Sequence, residues 1–334
     1  MSIRVNGSTG FACLWIAAVL LGCATESGVD DVDNTTESTA STPAEEMAAG
    51  EEDVAQAEEG IKSASGLTSA GFSLGLLISR LGSDGVYRTG LCTGSALSPH
   101  WVVTAAHCVY QNSGGIVERA RSARIYRQTE IGGAGTQQIY SGTIQASVPV
   151  TWDPGSMPTA SDIAVIYLPN GLSPAPLEYA RLYADSPSKL WDRLGGSMTA
   201  AGWGNGNWDG SCNVTYLVPR GGVFSPSNYN LWGDTIRLIQ NRGDQLCGGD
   251  SGGPWWTTLG PNNRKVVFSV SSGTRAGLDA CGAAVKCISA GAEVDGVFMT
   301  RWVDWVAIGS DQTAHPLTCT RFSEGGYLYV RCNE

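Results

Sequence analysis

Histidine occurs only three times in 334 residues, and charged side chains make up only 16% of the chain. None of the ten cysteines forms a C-x-x-C pair, which removes the usual spacing of a zinc scaffold. Residues 24–60 contain no Lys, no Arg and no aromatic residue. No internal repeat is present. The net charge of −10 is unevenly placed: 12 of the 31 acidic residues fall within 24–60, and Arg4 is the one charge before them. Residues 62–334 therefore carry 20 basic against 19 acidic side chains, a net of +1. A nearly neutral body lacks the basic stripe that a nucleic-acid partner requires. A stretch as acidic as 24–60, with nothing aromatic to bury, cannot offset the entropy of ordering its chain, so it reads as a disordered tether or pro-segment over 23–60.

The chain begins like an exported protein. Arg4 lies in a short leading region, and Phe11–Leu21 is an apolar run too short to span a bilayer as a mature helix. The run ends in Leu20-Leu21-Gly22-Cys23, which resembles a bacterial lipobox. The resemblance implies a signal peptide over 1–22, a lipid on Cys23 and, with Ala24 rather than Asp following, retention at the outer membrane or cell surface, with release after processing. Export implies an oxidising compartment. Setting aside Cys13 and Cys23 leaves an even set: Cys92, Cys108, Cys212, Cys247, Cys281, Cys287, Cys319 and Cys332. Eight cysteines allow 105 pairings, so sequence alone does not choose between them.

From about residue 67, short apolar runs alternate with Gly, Pro, Ser and Asn. Leu74–Leu81, Trp101–Ala105, Ala123–Arg127, Ile163–Leu168, Thr235–Gln240 and Val266–Ser271 read as strands. Helical periodicity appears only over Phe298–Ile308, where Trp302, Trp305 and Val306 recur at i, i+3 and i+4. Residues 311–334 carry Tyr327-Leu328-Tyr329-Val330 between Cys319 and Cys332, the pattern of a disulfide-closed hairpin.

Three segments carry chemistry. Cys247-Gly248-Gly249-Asp250-Ser251-Gly252-Gly253-Pro254 places a serine in a turn whose preceding glycines admit a close backbone approach. Serine is a poor nucleophile without a base, and the base needs a third group to fix its tautomer. His107, in Thr104-Ala105-Ala106-His107-Cys108, follows an apolar strand. A Cys92–Cys108 bridge would pin its loop. Asp162 begins the apolar strand Ile163–Leu168, where a buried carboxylate needs a partner such as a histidine N–H. The amides of Gly248 and Gly249, with that of Ser251, are candidates for an oxyanion hole.

In the order His, Asp, Ser, these motifs resemble the chymotrypsin/trypsin family of serine endopeptidases. Gly202-Trp203-Gly204 and Gly296-Val297-Phe298 match further landmarks. The resemblance covers residues 61–310. It implies an all-β fold of two perpendicular six-stranded antiparallel β-barrels with a C-terminal helix. It also implies His107 as general base, Asp162 as its orienting group, Ser251 as nucleophile, and Gly249 and Ser251 as oxyanion donors. Cys247 paired with Cys281 or Cys287 would brace the specificity pocket. The expected substrate is a protein or peptide, with no cofactor, no metal and a monomeric enzyme.

Two departures qualify the likeness. The position where trypsin-like members carry an Asp is Gln245, followed by Leu246. A neutral amide cannot neutralise a buried cation, and the other pocket residues, Ser271, Ser272, Gly273 and Gly296, are small, so an uncharged S1 pocket is expected. The usual activation sequence is also missing. Ile61, in Ile61-Lys62-Ser63-Ala64, is the nearest candidate for a new N-terminus that would pair with Asp250. Two other readings exist. One is a catalytically silent surface-binding module on the same scaffold. The other is an α/β-hydrolase esterase, since Gly249–Gly253 satisfies G-x-S-x-G, with His315 as base and Asp295, Asp304 or Asp311 as acid.

Overall fold

The computed structural model describes residues 66–154, 161–185, 189–190, 198–204, 219–224, 229–232, 235–239, 249–276, 287–293 and 314–333. All of them belong to the unit Gln56–Glu334. The leader, Cys23, the acidic segment, Ile61, Cys212, Gln245, Leu246, Cys247, Cys281, Gly296 and the helix expected over Phe298–Ile308 lie outside the described residues.

Strands dominate the described residues, and α1 (Ala106–Val109) is a single helical turn. In chain order they are β1 (Gly66–Leu67), β2 (Ser73–Gly82), β3 (Tyr87–Ser98), β4 (Trp101–Thr104), α1 (Ala106–Val109), β5 (Tyr110–Ser113), β6 (Ile116–Gln128), β7 (Thr136–Thr143), β8 (Gln145–Ser147), β9 (Ala164–Tyr167) and β10 (Arg181–Tyr183). There follow β11 (Met198–Gly202), β12 (Arg220–Phe224), β13 (Tyr229–Trp232), β14 (Thr235–Ile239), β15 (Pro254–Leu259), β16 (Arg264–Ala276), β17 (Cys287–Glu293), β18 (Thr318–Glu324) and β19 (Tyr327–Asn333). They form an eight-stranded sheet in the order β5-β6-β2-β3-β4-β9-β8, with β7 also on β6, and an eleven-stranded sheet in the order β1-β12-β11-β15-β16-β10-β19-β18, to which β17, β14 and β13 attach through β16. Both sheets curl, giving the all-β chymotrypsin-like architecture.

Every pairing among the described strands is antiparallel except β10 with β16. Ser251 is followed by strand β15, not by a helix. An α/β-hydrolase elbow needs a parallel sheet and a strand-to-helix turn, so the esterase reading is withdrawn. His315 is occupied elsewhere: its ring stacks on that of His100 at 3.6 Å, and its carbonyl accepts the Trp101 indole N–H at 2.8 Å.

Two cores set the position of the site. Leu74, Leu76, Ile78, Val102, Ile125 and Ile166 fill one. Phe72, Trp101, Val103, Val165, Tyr167 and, from the larger sheet, Trp256 and Val267 fill the other. Alternate residues of β4 and β9 therefore face different cores. Both strands are buried on each side, which is why they read as unbroken apolar runs rather than alternating ones. At ~1.5–3 kcal/mol for each large apolar side chain buried, a polar residue here is tolerated only at a strand end. His107 and Asp162 lie just beyond such ends.

The hairpin of β18 and β19, with its Cys319–Cys332 bridge, is not an appendage. β19 pairs antiparallel with β10 and so becomes part of the larger sheet. Leu317, Val330 and Cys332 join the second core. At the hairpin tip the Glu324 carboxylate accepts bonds from Tyr329, Asn262 and Arg264. The Tyr329 hydroxyl, more than the others, holds the Glu324 carboxyl below the usual carboxylate range.

In β7, burial pushes the Tyr140 phenol up to about 12. The unfolded phenol ionises near ~10, so the unfolded chain loses this proton first. The stability tied to neutral Tyr140 is complete below about pH 10 and is lost as the pH rises through about 12. Thermal melts from pH 8 to 12 should show a shallower alkaline decline in Tyr140→Phe than in the parent. Identical slopes would refute the assignment.

Candidate active site

The register of β4 against β9 builds the first half of the site. Thr104 lies opposite Ala164, so the residues after Thr104 meet the residues before Ala164. Extended Ala105 starts the single turn α1, which carries His107. Asp162 is fully buried. Its Oδ1 accepts the His107 backbone N–H at 3.0 Å, and its Oδ2 lies 2.8 Å from His107 Nδ1. An ionised carboxylate can only accept, so the Nδ1 proton points to Asp162 and Nε2 is left with a lone pair. Ser272 donates its hydroxyl to the same Oδ2. Three donors offset the cost of a carboxylate removed from water.

Ser272 reaches Asp162 because β16 bulges. The pairing with β17 shifts between Ser271 and Gly273, leaving Ser272 as the extra residue. A bulge re-aims one side chain, here toward the carboxylate. Ser271 also faces inward, its Oγ accepting the Trp255 indole N–H at 2.7 Å. Both hydroxyls expected to line an S1 pocket are thus engaged inside the protein.

Ser251 lies on a tight turn. Gly249 and Gly252 have φ of +98° and +80°, in the left-handed region that favours glycine. A Cβ on Gly252 would stand 2.0 Å from Thr104 Oγ1 and 2.4 Å from the Thr93 carbonyl. The turn is stitched to β16 by Gly252 N–H to Ser271 O (2.6 Å) and Ser271 N–H to Gly253 O (2.8 Å), and to β3 by Thr93 N–H to Ser251 O (2.8 Å). Cys108 Sγ, one residue past His107, lies 3.6 Å from the Ser251 carbonyl oxygen. The serine turn and the histidine turn are therefore neighbours across the two sheets. Asp250 is fully buried, and its Oδ1 accepts the Gly204 N–H at 2.7 Å. A Cβ on Gly202 would meet that oxygen at 2.0 Å, which accounts for glycine on this side of Trp203.

Cys92 and Cys108 are joined, with S–S of 2.04 Å. Their sulfurs cluster with His107 but, bonded to each other, offer no thiolate to a metal ion. Among the expected site residues, the structure thus assembles His107, Asp162, Gly249, Asp250, Ser251, Ser271, Ser272, Cys92 and Cys108. Gly273 follows on β16. Three contacts that hold the assembly have no local pattern in the sequence: Ser272 to Asp162, Thr104 to Thr93, and Thr93 to Gly249. Thr104 Oγ1 donates to the Thr93 carbonyl at 2.7 Å. The signals in the sequence are Thr104, which opens the His107 motif, and Thr93, which follows Cys92.

The sequence profile of the trypsin family matches residues 79–286. Brachyurin of Leptuca pugilator is 30% identical over 198 residues, covering 57% of this chain and 78% of that protein. Chymotrypsin-like elastase family member 1 of Homo sapiens is 29% identical over 208 residues, covering 56% and 73%. A solved HL collagenase structure aligns with a TM-score of 0.48 at 20% identity, covering 74% of this chain and 98% of its own. With the profile extending over more than half of the residues, from within β2 to the residue before β17, the chain belongs to the trypsin family of serine proteases.

Proposed function

We propose that this protein is a serine endopeptidase that hydrolyses peptide bonds through an acyl-enzyme on Ser251. His107 takes the Ser251 proton through Nε2 and returns it to the leaving amine. Asp162 fixes the tautomer and stabilises the imidazolium. The amides of Gly249 and Ser251 receive the charge that develops on the carbonyl oxygen. The observation that carries this reading is the doubled contact of buried Asp162 with His107, through both the ring Nδ1 and the backbone N–H, beside a serine turn that tolerates only glycine at its corner.

The pocket is read as uncharged, from Gln245 and Leu246 in the sequence and from the inward-turned hydroxyls of Ser271 and Ser272. Export through the leader, with a lipid on Cys23, is read from the sequence, and the Cys92–Cys108 and Cys319–Cys332 bridges support the export, since disulfides persist in oxidising compartments. Activation is read as cleavage before Ile61, whose ammonium would reach the buried Asp250 carboxylate.

Cleavage of a peptide library tests the set, using active protein whose N-terminus has been sequenced. Ile61 is expected as the first residue. Bonds after Phe, Leu or Ala should be cut at least about tenfold faster than bonds after Arg, the ratio that ~1.4 kcal/mol of discrimination gives. Arg cut far faster than the uncharged residues would sink the pocket assignment. A folded protein that neither cleaves the library nor reacts with an organophosphonate would be a binding module instead.

A further inference from the structure

The hydroxyl of Thr93 has no part in the chemistry proposed above, yet it sits at the junction of everything that positions the serine turn. Thr93 is fully buried on β3, one residue after disulfide-bonded Cys92. Its Oγ1 donates to the Gly249 carbonyl at 2.8 Å and accepts the Trp203 backbone N–H at 2.9 Å. Its own N–H donates to the Ser251 carbonyl at 2.8 Å. The Trp203 amide can only donate, so the hydroxyl proton is committed to Gly249. One side chain thus links the smaller sheet, the corner at Gly202–Gly204 of the larger sheet, and the turn that carries Ser251.

Gly249 needs such a restraint. It has no Cβ, and its φ of +98° places it where the flanking peptide planes of a glycine rotate at little cost. Its surroundings are close: a Cβ would lie 2.8 Å from both Gly204 Cα and Leu91 Cδ2. No side chain can therefore be added to stiffen the residue itself. Its carbonyl can be held from outside. The two residues whose amides are assigned to the oxyanion hole are the two whose carbonyls Thr93 binds.

We infer that Thr93 is a positioning residue for the oxyanion hole: its hydroxyl fixes the Gly249 carbonyl, hence the Gly249–Asp250 peptide plane, and its N–H fixes the Ser251 carbonyl, so that the intervening plane bearing the Ser251 N–H, and the Gly249 Cα from which the Gly249 N–H extends, are held in place. This rests on the serine-endopeptidase reading. Thr93 touches no substrate, so it acts on the transition state more than on substrate binding. Loss of a complete oxyanion donor costs about 10²–10³ in kcat, and a donor left mobile costs part of that.

The test compares Thr93→Val, which keeps the shape and removes the hydroxyl, with Thr93→Ser, which keeps the hydroxyl and removes the methyl. Folding is checked by circular dichroism. In Thr93→Val, kcat on a peptide ester should fall about 10- to 100-fold with KM within about threefold, and a peptide boronate, which places an oxygen in the hole, should bind more weakly by the same factor. Thr93→Ser should restore both to within about threefold of the parent. A folded valine variant with unchanged kcat overturns the inference, as does a rise confined to KM. If the valine variant does not fold, the serine variant decides: normal kcat and boronate affinity support the hydroxyl, whereas a serine variant that is inactive or unfolded shows that the methyl held the turn. The parent is first labelled with an organophosphonate. An unlabelled parent overturns the endopeptidase reading and the inference with it, while a labelled parent with an unaltered valine variant overturns the inference alone.

Discussion

Replacing Ser251 by alanine is expected to lower kcat on a peptide substrate by about 10⁶-fold and to abolish organophosphonate labelling, with KM changed by no more than a few-fold. The residue is half-buried in a turn whose shape depends on Gly249, Gly252 and four backbone bonds, none of which uses the serine hydroxyl. The substitution therefore leaves the turn in place and removes only the attacking oxygen. Residual turnover of ~10³–10⁴ over water should remain, since binding and the oxyanion amides are untouched. Single-turnover kinetics and mass spectrometry of the labelled protein provide the measurement. A variant that keeps more than about 1% of parental kcat would remove Ser251 from the mechanism.

Replacing Asp162 by asparagine is expected to cost about 10⁴ in kcat at neutral pH with little change in fold. The direction follows from the hydrogen bonds. Asp162 Oδ1 accepts the backbone N–H of His107, a group that can never accept. The amide oxygen of asparagine must take that place, which puts its NH₂ opposite His107 Nδ1 and the Ser272 hydroxyl. The imidazole then presents a lone pair at Nδ1 and carries its proton on Nε2, where it cannot accept one from serine. Thermal denaturation and the far-ultraviolet spectrum should stay close to the parent. A loss smaller than tenfold would mean that the tautomer is fixed by something other than Asp162.

Much of this was legible in the residues, for identifiable reasons. Strands β2, β4, β9 and β16 are apolar runs in the sequence because their side chains enter dense cores. Strand β3 is long and central, yet its Tyr87–Ser98 stretch does not read as one. It contains Gly90 and Gly94 because the Arg80 guanidinium crosses one, within 2.9 Å of where a Cβ would be, and Leu76 and Val102 crowd the other, at 2.8 and 2.9 Å. Small residues that exist to admit a neighbour look like a loop when the neighbour is unknown. The motifs around His107, Asp162 and Ser251 are local and were readable. The bulge that swings Ser272 onto Asp162 is a property of pairing between β16 and β17, and no spacing encodes it. The bond from Thr93 to Gly249 joins residues 156 positions apart and has no local signature.

The pairing of β10 has a consequence for the order in which the chain can be built. β10 is three residues long and lies between β16 and β19, both made much later on the ribosome. Leu182 and Tyr183, almost fully enclosed in the finished protein, have no strand partner until those segments arrive. The smaller sheet draws only on residues up to Tyr167 and can assemble first. The larger sheet is a late closure, in which a parallel strand and the terminal hairpin arrive from a distance and pay the loop entropy together. His107 and Asp162 would then be in place, with Thr93 of β3 ready to receive the Ser251 and Gly249 carbonyls, before the turn that carries Ser251 is made.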